Sequence, residues 1–379
     1  MMWTAAVAFF CAAFATMAVV ASSRRHARWS FDSDFSGPQK MHVQAVMRAG
    51  GIGIFAGLVG GGLAMAWLRP ELGRPALLML VCALPALLAG VAEDLTKGTS
   101  PRRRMMALAF SGLLGVVLLD ADIVRTGWAA FDRLISANGL LWLGSAGAVF
   151  AVTGVSNSIN IIDGMNGLAS MCVALMAGAL AYVAWRIADP LVCGISLATM
   201  GAALGFFVWN YPRGLIFLGD GGAYLLGFTV AELGILLAAR HPEVSMLAPL
   251  AIMAYPIFEA LFTMYRRRVL QRRPVTQADG SHLHTLIYRR LKRGAAGSLG
   301  PREATRCNSG TSPYLWLLNG AVAVPAALWW DNTPALALAL LAFVLIYLDL
   351  YWRIVTFRSP KWIDTRRLRE RGAEILIKS

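Results

Sequence analysis

Long apolar stretches dominate the chain, and short polar segments separate them. The apolar runs fall near 2–21, 49–68, 76–92, 105–120, 140–155, 168–187, 191–208, 222–239, 245–265, 313–330 and 334–352. Each approaches the roughly 20 residues that a helix needs to cross a bilayer. In hydrocarbon the backbone must satisfy its own N–H and C=O groups, so such runs form helices. The pattern predicts an all-α, polytopic transmembrane helical bundle of about 11 spans. The first run has no basic residue ahead of it, and Arg24, Arg25 and Arg28 follow it. It is expected to be an uncleaved anchor with the N-terminus outside.

Composition narrows the class. Of 379 residues, 57% are hydrophobic and 15% charged, against about 25% charged in a soluble domain. A soluble enzyme on a single anchor is excluded. The net charge of +14 would suggest nucleic acid in a soluble protein. Here basic residues act as orientation signals, and no nucleic-acid partner is expected. With 11 alternating spans, the segments 22–48, 93–104, 156–167, 209–221, 266–312 and 353–379 share one side. They hold 29 of the 35 Lys and Arg residues, leaving 6 for the other side. That asymmetry places these segments and the C-terminus in the cytoplasm. The chain reads as one membrane domain over 1–352 with a basic tail, 353–379, against anionic lipid. Five cysteines without a CxxC pair give no sign of a disulfide framework or a zinc site.

Four polar clusters fall on this inner side. Glu93 and Asp94 end an apolar run just before Ser100-Pro101-Arg102-Arg103-Arg104. A carboxylate at membrane depth costs roughly 2.5–3.5 kcal/mol, so paired acids there point to function; a solvated loop start is the plain alternative. Next, Asn157, Asn160 and Asp163 are spaced to stack on one helix face. Gly164 and Gly167 are expected to break that helix around Asn166, leaving a polar pocket suited to an ion or phosphate. Third, Phe217-Leu218-Gly219-Asp220-Gly221-Gly222 sets a carboxylate on a glycine turn with little cover, suited to Mg²⁺ when phosphates complete the shell. A simple Asp-Gly turn has the same signature. Last, Glu259 precedes the longest basic loop, which carries Asp279, His282 and His284. Its 11 basic residues repel free cations and favour an anion such as pyrophosphate; solvated loop histidines are the plain alternative. Gly51, Gly53 and Gly57 mimic a dinucleotide loop, but close helix packing explains them better. His26 and His42 read as surface residues.

In this order the clusters resemble those of the polyprenyl-phosphate N-acetylhexosamine-1-phosphate transferases, bacterial glycosyltransferase family 4. The resemblance runs from about Gly37 to Leu286. It includes Lys40, His42 and Arg48-Ala49-Gly50-Gly51, the acidic pair, NxxNxxDGxNGL, GDGGA, PxxE and the HxH loop. It implies an inner-membrane phosphoglycosyltransferase, similar to undecaprenyl-phosphate GlcNAc-1-phosphate transferases. Such enzymes move a sugar 1-phosphate from a UDP-N-acetylhexosamine to undecaprenyl phosphate at the cytoplasmic face. UMP is released, Mg²⁺ (or Mn²⁺) assists, and the product starts a cell-surface polysaccharide such as O-antigen.

The resemblance implies roles for individual residues. Asp220 would hold Mg²⁺ with help from Asn160 and Asp163, and Asp163 would share the catalytic centre with Glu93 and Asp94. One of that acidic pair would act as base or positioning group. Phe217 would stack on uracil while Asn166 and Asn210 read its edge. His282 and His284 would grip pyrophosphate, and Arg104, Lys40 and Arg48 would guide the phosphates. Direct attack by the lipid phosphate is expected rather than a phospho-enzyme. The chain departs from the pattern at Glu93, where the family usually has Asp, and by one extra residue after the acidic pair. Asn166 replaces an aspartate common in bacterial members. Thr285 replaces a third histidine, which points away from phospho-MurNAc-pentapeptide translocase activity, one of two alternatives. The other is a transporter using Glu232 and Asp94; against it, no internal repeat is apparent and the polar clusters gather at one face instead of the midplane. The last two spans would serve lipid entry or homodimer contacts.

Overall fold

The computed structural model describes residues 1–23, 31–32, 46–130, 132–133, 139–140, 142–272, 274, 279–294 and 300–356. Lys40, His26, His42 and most of the basic tail lie outside them. The described residues form helices α1 Met2–Ala21, α2 Gly50–Leu68, α3 Pro70–Thr96, α4 Pro101–Leu119, α5 Trp142–Ile162, α6 Leu168–Arg186 and α7 Pro190–Asn210. They continue with α8 Gly219–Arg240, α9 Leu247–Ile252, α10 Ala254–Tyr265, α11 Leu283–Gly294, α12 Pro301–Leu328 and α13 Thr333–Val355. A π-helical turn, Arg266–Leu270, extends α10. The one strand pairing among the described residues joins Phe31–Asp32 to Val46–Met47. The protein is an all-α polytopic membrane protein.

Each expected apolar stretch forms helix over most of its described residues, but among the described residues only eight helices are long and apolar enough to cross a membrane. Three stretches fall short for identifiable reasons. Helix α4 opens on Arg102, Arg103 and Arg104. The stretch 245–265 breaks at Met253 into α9 and α10, because Pro256 lacks the N–H that would bond residue 252. Helix α12 begins at Pro301, well before the expected apolar run, and its polar first half is helix where a loop to 312 was expected.

Helix α8 is the centre of the bundle, buried along almost its whole length against α2, α3, α5, α6 and α7. A helix that is apolar all round suits such a position. Helices α1 and α13 lie at the edge and expose Phe10, Phe14, Leu341 and Leu345. Small residues set the spacing: a Cβ at Gly57 would lie 2.7 Å from Ala12 Cβ and 2.8 Å from Ala202 Cβ, as expected of close helix packing. Inside α3, Pro85 disrupts the helical ladder, and the Ala86 N–H donates instead to Ser111 Oγ of α4 at 3.0 Å. Short turns make successive helices antiparallel. The ends of α3, α5 and α7 therefore meet the starts of α2, α4, α6 and α8 at one end of the bundle.

Candidate active site

The first half of the site is built on the start of α8. Asp94, near the end of α3, accepts hydrogen bonds from Asp220 N at its Oδ1 and Gly221 N at its Oδ2, both 3.0 Å long. One carboxylate thereby satisfies two N–H groups that α8 leaves unpaired, where the helix dipole favours negative charge. Gly219 has φ +74°, and a Cβ there would lie 2.5 Å from Asp94 Oδ2, so only glycine fits. Asp220 thus belongs to the first turn of a helix, not to the free turn expected of GDGG. Its Oδ2 pairs with Arg104 Nη1 at 2.6 Å, while Oδ1 has no hydrogen-bond partner among the described residues. Ser100 caps α4 through Arg103 N at 3.4 Å and so sets the helix that presents Arg104. Glu93 turns to the connection, accepting from Thr99 N at 2.7 Å.

A backbone pairing delivers Arg48. Phe217 N donates to Met47 O at 2.8 Å and Gly50 N to Phe217 O at 3.0 Å. Arg48 consequently sits beside Phe217, near enough to stabilise the charged form of Asp163. Asp163 follows the last residue of α5, so the expected break occurs one residue before Gly164. Burial pushes its carboxyl up to about 8; Arg48 opposes that shift, and Asp220 and Asp94 add to it. The side chain keeps some solvent exposure but is ringed by protein. Asn157 and Asn160 are partly exposed on the preceding turns and have no side-chain hydrogen bond among the described residues.

The two other asparagines are buried and engaged. Asn210 Nδ2 donates to Ile216 O at 2.7 Å, and its Oδ1 accepts from Gly167 N. Asn166 Nδ2 reaches Pro212 O at 3.2 Å and Ser309 Oγ at 3.3 Å. Its backbone N–H donates to Asn308 Oδ1 at 2.8 Å and its carbonyl accepts from Ser312 Oγ at 2.6 Å. These amides hold the 163–167 turn to the end of α7 and to α12.

The histidines form the second half. Glu259 Oε1 accepts from His282 Nδ1 at 3.1 Å and from Leu283 N at 3.3 Å. Against a carboxylate, Nδ1 carries the proton, which leaves Nε2 for a ligand. The His284 ring stacks on His282, with centroids 5.3 Å apart and planes at 6°. A Cβ at Gly164 would lie 2.5 Å from His284 Nε2, so this glycine brings the histidine loop against Asp163. Burial, and then the charge of His282, push His284 down to about 3. Arg266 anchors the loop through Asp279, Ser281 O and Tyr351.

Residues 76–238 match glycosyl transferase family 4. That region resembles the family over less than half of the chain. The chain is 28% identical over 247 residues to a probable undecaprenyl-phosphate N-acetylglucosaminyl 1-phosphate transferase of Bacillus subtilis (strain 168), covering 65% of this chain and 66% of that protein. It is 31% identical over 210 residues to a phospho-N-acetylmuramoyl-pentapeptide-transferase of Synechococcus sp. (strain JA-3-3Ab), covering 53% and 58%. A protein of the same name from Oceanobacillus iheyensis is 40% identical over 97 residues, covering 25% and 30%. The chain therefore aligns with less than two-thirds of the length of these relatives.

The matched region contains Glu93, Asp94, Arg104, Asn160, Asp163, Asn166, Asn210, Phe217 and Asp220, but not Arg48, His282 or His284. The structure brings Arg48, Asp94, Arg104, Asp163, Phe217 and Asp220 together and adds the histidines through Gly164. Among the described residues, no group of three or more His, Cys, Asp or Glu side chains forms a metal cluster. Asp220 Oδ1, without a hydrogen-bond partner among the described residues and within electrostatic reach of Asp163, fits a hard cation whose remaining ligands come from phosphate and water. Sequence reasoning left Glu259 without a role and missed Asn308, Ser309 and Ser312. The polar run 308–312 at the start of an apolar helix was the available signal.

Proposed function

We propose that this protein transfers an N-acetylhexosamine 1-phosphate from a UDP-sugar to undecaprenyl phosphate at the cytoplasmic face of the inner membrane. The product starts a cell-surface polysaccharide. One observation carries the reading: Asp94 caps α8 and fixes Asp220 beside Arg104, within electrostatic reach of Asp163, with His284 packed against Gly164. Cations, a helix N-terminus and one open carboxylate oxygen suit the joining of two anions, a reaction governed by positioning and electrostatics. The excess of Lys and Arg on this side supports the cytoplasmic assignment.

An oxygen of the lipid phosphate forms a bond to the sugar-bound phosphorus, and the bond from that phosphorus to the bridging oxygen of UMP breaks. Asp220, with Asp163 and Asn160 nearby, would hold Mg²⁺, which would supply neutralisation of phosphate charge. Arg104, released from Asp220 toward phosphate, and Arg48 hold the two phosphates. His282, with Nδ1–H on Glu259 and a second proton on Nε2, would donate to the pyrophosphate with His284 stacked on it, and Phe217 offers its ring to uracil. Asp94 has both oxygens engaged on α8 and acts by fixing Asp220. The lipid phosphate is already an oxyanion, so Glu93 is needed for the shape of the α3–α4 turn rather than as base. Asn166 and Asn210 set the walls of the uridine pocket.

The test is UMP release by the purified protein in detergent with Mg²⁺, undecaprenyl phosphate and a panel of UDP-N-acetylhexosamines. Release that needs lipid and one donor, and stops with EDTA, is expected. No release from folded protein with any donor would overturn the reading. The pentapeptide-transferase relatives favour a second donor, UDP-MurNAc-pentapeptide, which belongs in the panel. Thr285, in place of the third histidine, argues for the simpler sugar.

A further inference from the structure

Helix α13 lies at the edge of the bundle and beyond the family match, and most of its surface is apolar and exposed. One face of it is different. Tyr347 is fully buried, and its hydroxyl donates to Glu259 Oε2 at 2.7 Å. The other oxygen of the same carboxylate accepts from His282 Nδ1 and Leu283 N. One turn on, the Tyr351 hydroxyl donates to Ser281 O at 3.3 Å and accepts from Arg266, which also pairs with Asp279. The two tyrosine rings run nearly parallel, with centroids 6.4 Å apart. Four residues apart on one helix, they hold both ends of the segment 279–283.

We propose that α13 belongs to the active site at one remove: Tyr347 is a positioning residue that orients His282 through Glu259. A carboxylate gripped at one oxygen alone can swing about its terminal torsion, and the imidazole it holds swings with it. The Tyr347 hydroxyl closes off that motion by fixing Oε2, much as outer partners fix the histidines of metal sites. The kinetic consequence rests on the function proposed above; the hold on the loop does not. Simple packing is the competing explanation, since the Tyr347 ring makes edge contacts with Phe258 at 4.9 Å and Phe262 at 5.7 Å. Phenylalanine keeps those contacts and removes only the hydroxyl.

The experiment compares full-length wild type with Tyr347→Phe, Glu259→Gln and the double variant, by hydrogen exchange over 281–286 and by kinetics of UMP release. Tyr347→Phe is expected to speed exchange at Leu283 and lower kcat by about tenfold, with KM for undecaprenyl phosphate changed less than about twofold. In the Glu259→Gln background the same change should add nothing, because both act along one path. Unchanged exchange in Tyr347→Phe would overturn the proposal whether or not the wild type is active. Faster exchange with unaltered kinetics in an active wild type, or full additivity in the double variant, would overturn it too. A wild type that releases no UMP from any donor sinks the proposed function separately, and exchange at Leu283 still decides whether Tyr347 holds this loop.

Discussion

The two halves of the site are held in different ways. The acid–arginine half lies at the ends of α3, α4 and α8 and is fixed largely through backbone: two N–H groups of α8 on Asp94, and the Met47–Phe217 pairing that delivers Arg48. The histidine half hangs on side chains from distant elements, Glu259 of α10, Tyr347 of α13 and Arg266 of the π-helical turn. A backbone-held group keeps its place when a neighbour changes, so chemistry and architecture can be separated there by substitution. In the side-chain-held half they are coupled.

The sharpest test of that separation is Asp220→Asn. The carboxylate contributes no cap or core contact, so kcat should fall by roughly 10²–10³-fold while the thermal midpoint in detergent stays near wild type. A large fall in midpoint would show that Asp220 also carries the fold. Asp94→Asn should instead lose both properties. An amide group there cannot accept from both N–H groups, and an unsatisfied buried donor costs about 1–3 kcal/mol. A stable but inactive Asp94→Asn protein would return Asp94 to the chemistry itself.

Acid stability probes the histidine half. His284 is held near 3, below its ordinary 6.5, so the unfolded chain takes up this proton first as pH falls. The folded state therefore loses about 1.4 kcal/mol per pH unit from about 6.5 down toward 3. Asp163, raised from 3.8 to about 8, works in the opposite sense. Folded protein keeps its proton while the unfolded chain loses it, so its contribution is present at low pH and lost as pH rises toward 8. The two slopes oppose between about 4 and 6.5, and only a difference isolates either. Thermal midpoints of His284→Gln and wild type should diverge on acidification, with wild type falling more steeply. Parallel curves would mean that His284 is not held neutral.

The smallest effect is expected at Glu232. It lies mid-helix in α8 with Oε1 buried and without a hydrogen-bond partner among the described residues, away from both halves of the site. Glu232→Gln should leave UMP release within about twofold of wild type. A transporter would depend on this carboxyl, so strong loss of function here, with UMP release absent in the wild type, would revive that reading.

Much of the site was legible in the chain. Asp94, Asp163, Asp220 and the histidine pair each stand in short motifs whose spacing limits what the backbone can do. Roles within the motifs were less legible. Asn166 and Asn210 looked like base-reading amides, and only the positions of Pro212, Ile216 and Ser309 show them holding turns together. Glu93 and Asp94 are adjacent, yet neighbours on a helix point about 100° apart, and one faces a loop amide while the other faces α8.

By itself the sequence determined the class of molecule and gathered its polar clusters at one end of the bundle. Apolar run length, glycine breaks and charge asymmetry are properties of the chain alone, and a bilayer converts them directly into helices and sides. Only the tertiary structure decided which carboxylate caps a helix, which one stays open to a ligand, and that the last helix reaches Glu259. Those outcomes depend on contacts between residues 88 to 127 positions apart, and no local pattern encodes which partner lies at that distance.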